Sequence, residues 1–275
     1  SPHLKIPSDV LNPLDDLWPQ ALNRLDRPPL VLHQQGRAEV LEWIGQGRAV
    51  AVVGTRAASD HGLGMAEHLG KALAEAGWPV ISGLAEGIDA AAHRGCLAAG
   101  GVPVAVLGTP LDRVYPRHHQ SLQKDVAENG LLLSERRPGE SVQPGHFAAR
   151  NRLLVCLSCA LVVVECPDRS GALISARLAA EQQCPVWVVP GDAGRWSSRG
   201  SNRLLQNTAA PLLSPQELVE HLGPGPCHQV KATAVALMKA LGSGASIEQL
   251  QQTLKLPAGR LASDLLALEL AGQVV

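Results

Sequence analysis

Arg56 follows an apolar run and a glycine by two residues, a spacing from which anion sites are built. The stretch 49–64 reads AVAVVGTRAASDHGLG. A buried strand at 49–53 passes into Gly54, Thr55 and Arg56, and Ser59 stands before a helix opening near Gly62. The first N–H groups of a helix lack intrahelical partners, and the helix dipole adds about half a positive charge there. Gly54 lets backbone approach a ligand closely, and Arg56 adds a planar cation suited to bidentate phosphate contact. The spacing G-T-R-x-x-S-x-x-G is not the dinucleotide fingerprint G-x-G-x-x-G. An ordinary strand–helix turn with an exposed arginine fits the same residues, but an anionic ligand is the better reading.

Five further stretches carry residues of this kind. One runs from Ser82-Gly83 through Glu86 to Asp89, with His93 one turn on. Another runs from Gly108 through Pro110, Tyr115 and Arg117 to His118-His119. The loop after Glu135 holds Arg136, Arg137, His146, Phe147, Arg150, Asn151 and Arg152. Asp168-Arg169-Ser170-Gly171 follows Glu165, and Arg195, Arg199, Asn202 and Arg203 follow Pro190-Gly191-Asp192.

The elements that must position these turns alternate. Apolar runs at 49–53, 78–81, 102–107, 131–134, 160–165 and 186–189 read as strands. Amphipathic stretches at 62–76, 88–98, 121–128, 149–157 and 172–182 read as helices. Continuous apolar strands between helices imply a mostly parallel, doubly wound α/β sheet covered on both faces. Ligands of such a sheet lie beyond the carboxyl ends of its strands. The arginine-bearing loops would gather on that edge, although solvated loop charge is an alternative reading.

The remaining chemistry-bearing groups point to structure. Cys156 and Cys159 have C-x-x-C spacing, but no second pair stands at zinc-finger distance, so they read as buried thiols. His118-His119 reads as a solvent-facing loop pair. Glu86, Asp89 and His93 resemble an acid/base cluster, yet Asp89 capping loop backbone and His93 packing account for them. No Ser-His-Asp order, metal quartet or Walker A motif is present. Neither catalysis, a metal nor a cofactor is inferred.

The net charge of −1 excludes a global field that would draw nucleic acid, so any basic surface is local. Aromatics are only 3% of 275 residues, which argues against a binding mode made of many stacking platforms. Scattered cysteines, no signal peptide and no membrane-spanning run lead to a cytoplasmic expectation. Three domains are expected: a proline-punctuated leader at 1–45 packing on the main domain, an α/β domain at 46–222, and a module at 223–275. After the hinge Gly223-Pro-Gly-Pro226 the module reads as short helices with an apolar tail. Only Arg260 lies near its would-be recognition helix, which favours protein contacts over DNA reading.

Taken in order, GTRAASDHG, SGLAEGIDAAAH, AVLGTPLDRVYPRHHQSL, SERRPGESVQPGHFAARNRLL, VVVECPDRSGALISARLAAEQQCPVWVVPG and GSNRLLQNTAA resemble the DprA (Smf) DNA-processing protein family over residues 18–222. The FxxRNR and SGxLIxAxxAxE segments are its specific marks. The resemblance implies an extended Rossmann-like domain that binds single-stranded DNA, forms a homodimer and loads the RecA recombinase in natural transformation. It implies a winged-helix-like C-terminal module as well. The DNA-binding positions it implies are Gly54, Thr55, Arg56, Ser59, Ser82, Gly83, Gly108, Arg117, Phe147, Arg150, Asn151, Arg152, Ser170 and Gly171. Departures from the pattern are His61 for a tyrosine, Pro110 for a glycine, and Ala148 or Ala149 for a proline. The alternative is a nucleotide-hydrolysing enzyme of the phosphoribohydrolase-like group. Its GGxGTxxE segment is replaced here by RSGALISARLAAE, without the paired glycines, which favours binding.

Overall fold

The computed structural model describes residues 10–207 and 209–227, together with 249, 250 and 261. The chain divides into two compact units, 1–225 and 226–275. The winged-helix-like module expected over 223–275 lies, but for a few positions, outside the described residues.

In chain order the first unit runs β1 (Val10–Leu11), β2 (Leu32–Gly36), α1 (Val40–Ile44), β3 (Val50–Val53), α2 (Asp60–Glu75), β4 (Val80–Ser82) and α3 (Ile88–Ala98). It continues with β5 (Pro103–Leu107), α4 (Gln120–Asn129), β6 (Leu131–Ser134), α5 (Pro144–Cys156), β7 (Ala160–Val163) and α6 (Gly171–Glu181). It closes with β8 (Val186–Val188), α7 (Arg199–Leu204), β9 (Ala210–Pro211) and α8 (Pro215–Leu222). Among the described residues nine strands form one sheet in the order β1-β2-β6-β5-β4-β3-β7-β8-β9. Pairing is parallel from β6 to β9, while β1 and β2 add an antiparallel edge. The doubly wound α/β expectation holds, and residues 10–36 extend the sheet.

Strand burial follows from this layering. Val50, Val52, Val80 and Val162 pack under Leu69, Leu73, Ala91 and Ala92 of α2 and α3. Ala105, Leu107 and Leu132 pack against Leu122 and Val126 of α4. Side chains buried on both faces explain why the strands read as continuous apolar runs.

The topology also fixes where a ligand can enter. From β3 the chain adds β4, β5 and β6 on one side, then crosses to lay β7 on the other. Strand order therefore reverses between β3 and β7. The crevice at such a switch point lies outside the carboxyl ends of the two strands, here beside Gly54 and Glu165.

One expected element differs. The helix read at 149–157 begins at Pro144, so His146 and Phe147 stand on α5 with Arg150, Asn151 and Arg152 and not on the loop before it. Proline is favoured in the first turn because its missing N–H has no intrahelical acceptor there. The Gln143 N–H donates to His146 Nδ1 at 3.4 Å, with an imidazole filling the capping-box place that Glu or Gln usually takes.

Candidate nucleic-acid interface

At the switch point the loop after β3 folds back over β7. The Thr55 N–H donates to the Glu165 carbonyl at 2.7 Å, and the Ile88 N–H donates to the Thr55 carbonyl at 3.3 Å. Gly87 has φ of +82°, and a methyl there would fall on the Thr55 carbonyl, so only glycine fits. Gly54 is pressed between Ile88 and the Glu165 carbonyl, where a Cβ would clash.

These contacts leave a cleft of about 470 Å³, lined by Gly54, Thr55, Arg56, Phe147, Arg150, Asn151, Arg169, Ser170, Gly171 and Trp196 among others. Arg56 is exposed at its mouth. Its guanidinium lies 5.5 Å from the Phe147 ring centroid and 5.8 Å from that of Tyr115. The two rings lie 5.0 Å apart. The cation is thus held by ring faces while its N–H groups keep access to solvent or ligand.

Arg150 lines the cleft but is buried, unlike Arg56. It is 6% exposed. Its guanidinium donates to the Val106 carbonyl, and its Nε donates to Asn151 Oδ1 at 3.2 Å. Asp89 beside it is buried and accepts from the Gly83 N–H at 3.1 Å. Burial pulls the Arg150 pKa down to about 10, the Asp89 charge opposes that fall, and Arg56 adds to it. Burial pushes Asp89 up, with Arg150 pulling it back. Arg150 is a strut under the cleft floor, its charge offset by the nearby buried Asp89.

A correction concerns the anion site at the start of α2. Ser59 caps the helix, accepting from the Gly62 N–H at 3.1 Å. It also donates its hydroxyl to Glu165 Oε2 at 2.9 Å and its N–H at 3.1 Å. Glu165, 3% exposed and also bonded by Ser197, already sits where a phosphate would. Ser59 instead lines a separate cleft of about 270 Å³ holding Glu165, Asp192 and Arg195. Two carboxylates make that cleft unsuited to a phosphate. In the main cleft it is α6 whose N-terminus remains available, with Ser170 capping Ala172 N–H and Gly171 exposed beside them.

The other expected positions separate. Ser82 is buried and donates to the Val52 carbonyl at 2.6 Å. Gly83 lies against the Arg150 guanidinium, and Gly108 against Phe147. Neither lines the cleft, and each leaves room for the side chain that does. Arg117 is exposed on a short 3-10 turn outside the cleft lining. Arg152 pairs with Glu135 and faces another cleft. That cleft, about 900 Å³, is larger but opens beside Gly47, Cys159 and Pro185, at the amino ends of the strands. The C-x-x-C cysteines lie there with thiols donating to carbonyls. Cys156 bonds Ala21 at 2.9 Å and Cys159 bonds Ala49 at 3.2 Å, and burial pushes Cys159 up to about 11. Neither is a reactive thiolate. Among the described residues no cluster that could hold a metal is found. No described helix is long and apolar enough to cross a membrane.

The histidines divide as well. His118 faces solvent 3.8 Å from Glu86, but His119 is 2% exposed, contrary to expectation, with Nδ1–H donating to the Leu84 carbonyl at 3.1 Å. His93 is fully buried, and its Nε2 carries the proton because its partner at 3.1 Å is the Val104 carbonyl. Burial lowers the His93 pKa from 6.5 to about 4. The unfolded chain therefore binds more protons between those values, so stability falls as pH drops through that window. The loss approaches roughly 3 kcal/mol at the acid end. Asp89 works in the opposite sense above its ordinary value. Urea denaturation of the wild type and His93→Gln at pH 7 and pH 4.5 isolates the histidine, and the wild type should lose more stability than the variant. Equal losses would contradict a neutral buried imidazole.

Trp196 lines the cleft although the sequence did not single it out, and Arg169, named among the loop arginines but not among the DNA-binding positions, lines it as well. A lone tryptophan in a Gly-, Ser- and Arg-rich loop was the available signal.

Against this geometry the comparisons with known proteins are consistent. The model of the family described as DNA recombination-mediator protein A matches residues 9–223. Protein Smf of Synechocystis is 40% identical over 216 residues, 78% of this chain and 54% of its own. DNA processing protein DprA of Streptococcus pneumoniae is 37% identical over 75% of this chain and 71% of its own. The chain thus spans little more than half of the Synechocystis relative. The X-ray structure of DprA from S. pneumoniae superposes with a TM-score of 0.71 at 36% identity, covering 77% of this chain and 73% of that one. DprA from Helicobacter pylori, described with a unique single-stranded DNA binding mode, gives 0.68 at 31% identity over 74% and 92%.

Proposed function

Because this chain belongs to the DNA recombination-mediator protein A family, we propose that its carboxyl-edge cleft binds single-stranded DNA and that the protein acts in DNA processing. The observation that carries this reading is the exposed Arg56 guanidinium, held over Phe147 and Tyr115 at the mouth of a cleft at the sheet's switch point. A planar cation whose N–H groups stay accessible, beside the free N-terminus of α6, suits the phosphates of a single strand. The Helicobacter pylori relative's DNA-binding mode supports the same class of ligand. The chain passes the bound strand to the RecA recombinase in natural transformation, works as a cytoplasmic homodimer, and uses its C-terminal module at 223–275 for protein contacts. The RecA step and the homodimer rest on the family resemblance, the cytoplasmic setting on the scattered cysteines, and the module's protein contacts on its lack of basic residues after Arg260.

Fluorescence anisotropy on matched single-stranded and duplex oligonucleotides at one salt concentration tests the ligand. The single strand should bind more tightly, because the cleft offers no element shaped for a major groove. Equal affinity would contradict the reading. Sedimentation of only monomer at micromolar protein would contradict the dimer.

A further inference from the structure

We propose that Trp196 is a stacking platform at the rim of the cleft, on which a DNA strand held by Arg56 lays one of its bases. The inference rests on the reading of the cleft as a single-strand site. Trp196 opens a 3-10 turn (Trp196–Ser198), lines the cleft with Arg56 and Phe147, and is 63% exposed. Trp18 and Trp78 are buried at 2% and 7%. Exposure of so large a ring forgoes its transfer out of water.

The other aromatics of the mouth are already engaged. Phe147 and Tyr115 touch each other, and the Arg56 guanidinium covers both. No ring contact or cation engages Trp196 among the described residues. Its indole is also presented from a fixed support. On one side Arg195 pairs with Asp192 at 2.9 Å. On the other the Ser197 hydroxyl donates to buried Glu165, and the Ser198 N–H donates to the Arg195 carbonyl at 3.2 Å. A held turn presents the ring without the ordering cost of a flexible loop. The cleft's volume of about 470 Å³ is of the size that accommodates a small ligand moiety such as a nucleotide.

An indole carries no charge, so its contribution should be separable from the phosphate contacts. On a labelled deoxythymidine oligomer, Trp196→Ala should weaken binding by roughly 5- to 150-fold. The dependence on salt should stay unchanged, and Trp196→Phe should keep most of the affinity. Intrinsic tryptophan emission should be quenched by unlabelled strand in the wild type, and that quenching should vanish in Trp196→Ala. Wild-type affinity in Trp196→Ala, or quenching that persists without Trp196, overturns the stacking role while leaving the cleft reading intact. A loss that also lowers the salt slope by a whole phosphate contact overturns it too, since the indole would then be acting on Arg56. No binding by the wild type at all overturns the cleft reading, and the stacking with it.

Discussion

Arg150→Ala should destabilise the protein by about 3–5 kcal/mol, the cost of leaving a buried carboxylate without the charge that offsets it. The variant leaves Asp89 buried without its cation, and the Val106 carbonyl and Asn151 Oδ1 without their donor. Domains of this kind have only about 5–15 kcal/mol in total, so the loss would be a large share. Urea denaturation measures it. Because the damage comes from a stranded charge, removing both charges together in Arg150→Met with Asp89→Asn should recover much of the stability. Asn keeps an acceptor for the Gly83 N–H, and Met fills the volume. If Arg150→Ala instead folds within 1 kcal/mol of wild type and loses only DNA affinity, Arg150 is a phosphate ligand after all.

Arg56→Ala should do the reverse, costing affinity and sparing the fold. A charge-assisted contact to phosphate contributes about 1.5–3 kcal/mol, so binding should weaken by roughly 10- to 150-fold on every sequence. The stacking of Arg56 on exposed Tyr115 and half-buried Phe147 contributes only about 0.5–1 kcal/mol to stability. The two arginines therefore separate by assay. One lowers the denaturation midpoint, while the other lowers affinity at nearly constant midpoint. A large midpoint shift in Arg56→Ala would show that the loop, and not the DNA contact, depends on it.

The parallel strands were legible because burial on both faces leaves uninterrupted runs such as Val50 to Val53 and Ala160 to Val163. The start of α5 was not, since amphipathic spacing marks a helix only from 149 while Pro144 is a first-turn residue and His146 completes the cap. That miss had a consequence. Once the helix begins at 144, residues 147, 150, 151 and 154 share one face by the helical period, and the inward course of Arg150 follows. Which anion occupies the start of α2 was beyond sequence reasoning, because Glu165 reaches Ser59 from 106 residues away. Charged residues read in isolation do not reveal which carboxylate the fold will set against them. The switch point itself follows from strand order, and strand order is not written in the periodicity.

The most direct test of the account is a salt titration of single-strand binding by the wild type and Arg56→Ala, with Arg37→Ala as control. Arg37 is bonded to Glu39 and to the Asn129 carbonyl beside the amino end of β6, on the opposite edge of the sheet. Plots of log affinity against log salt should lose a slope of about 0.7 in Arg56→Ala, one phosphate's worth of counterion release, and remain parallel in Arg37→Ala. A wild-type slope in Arg56→Ala, or a slope lost in Arg37→Ala instead, would place the strand somewhere other than this cleft.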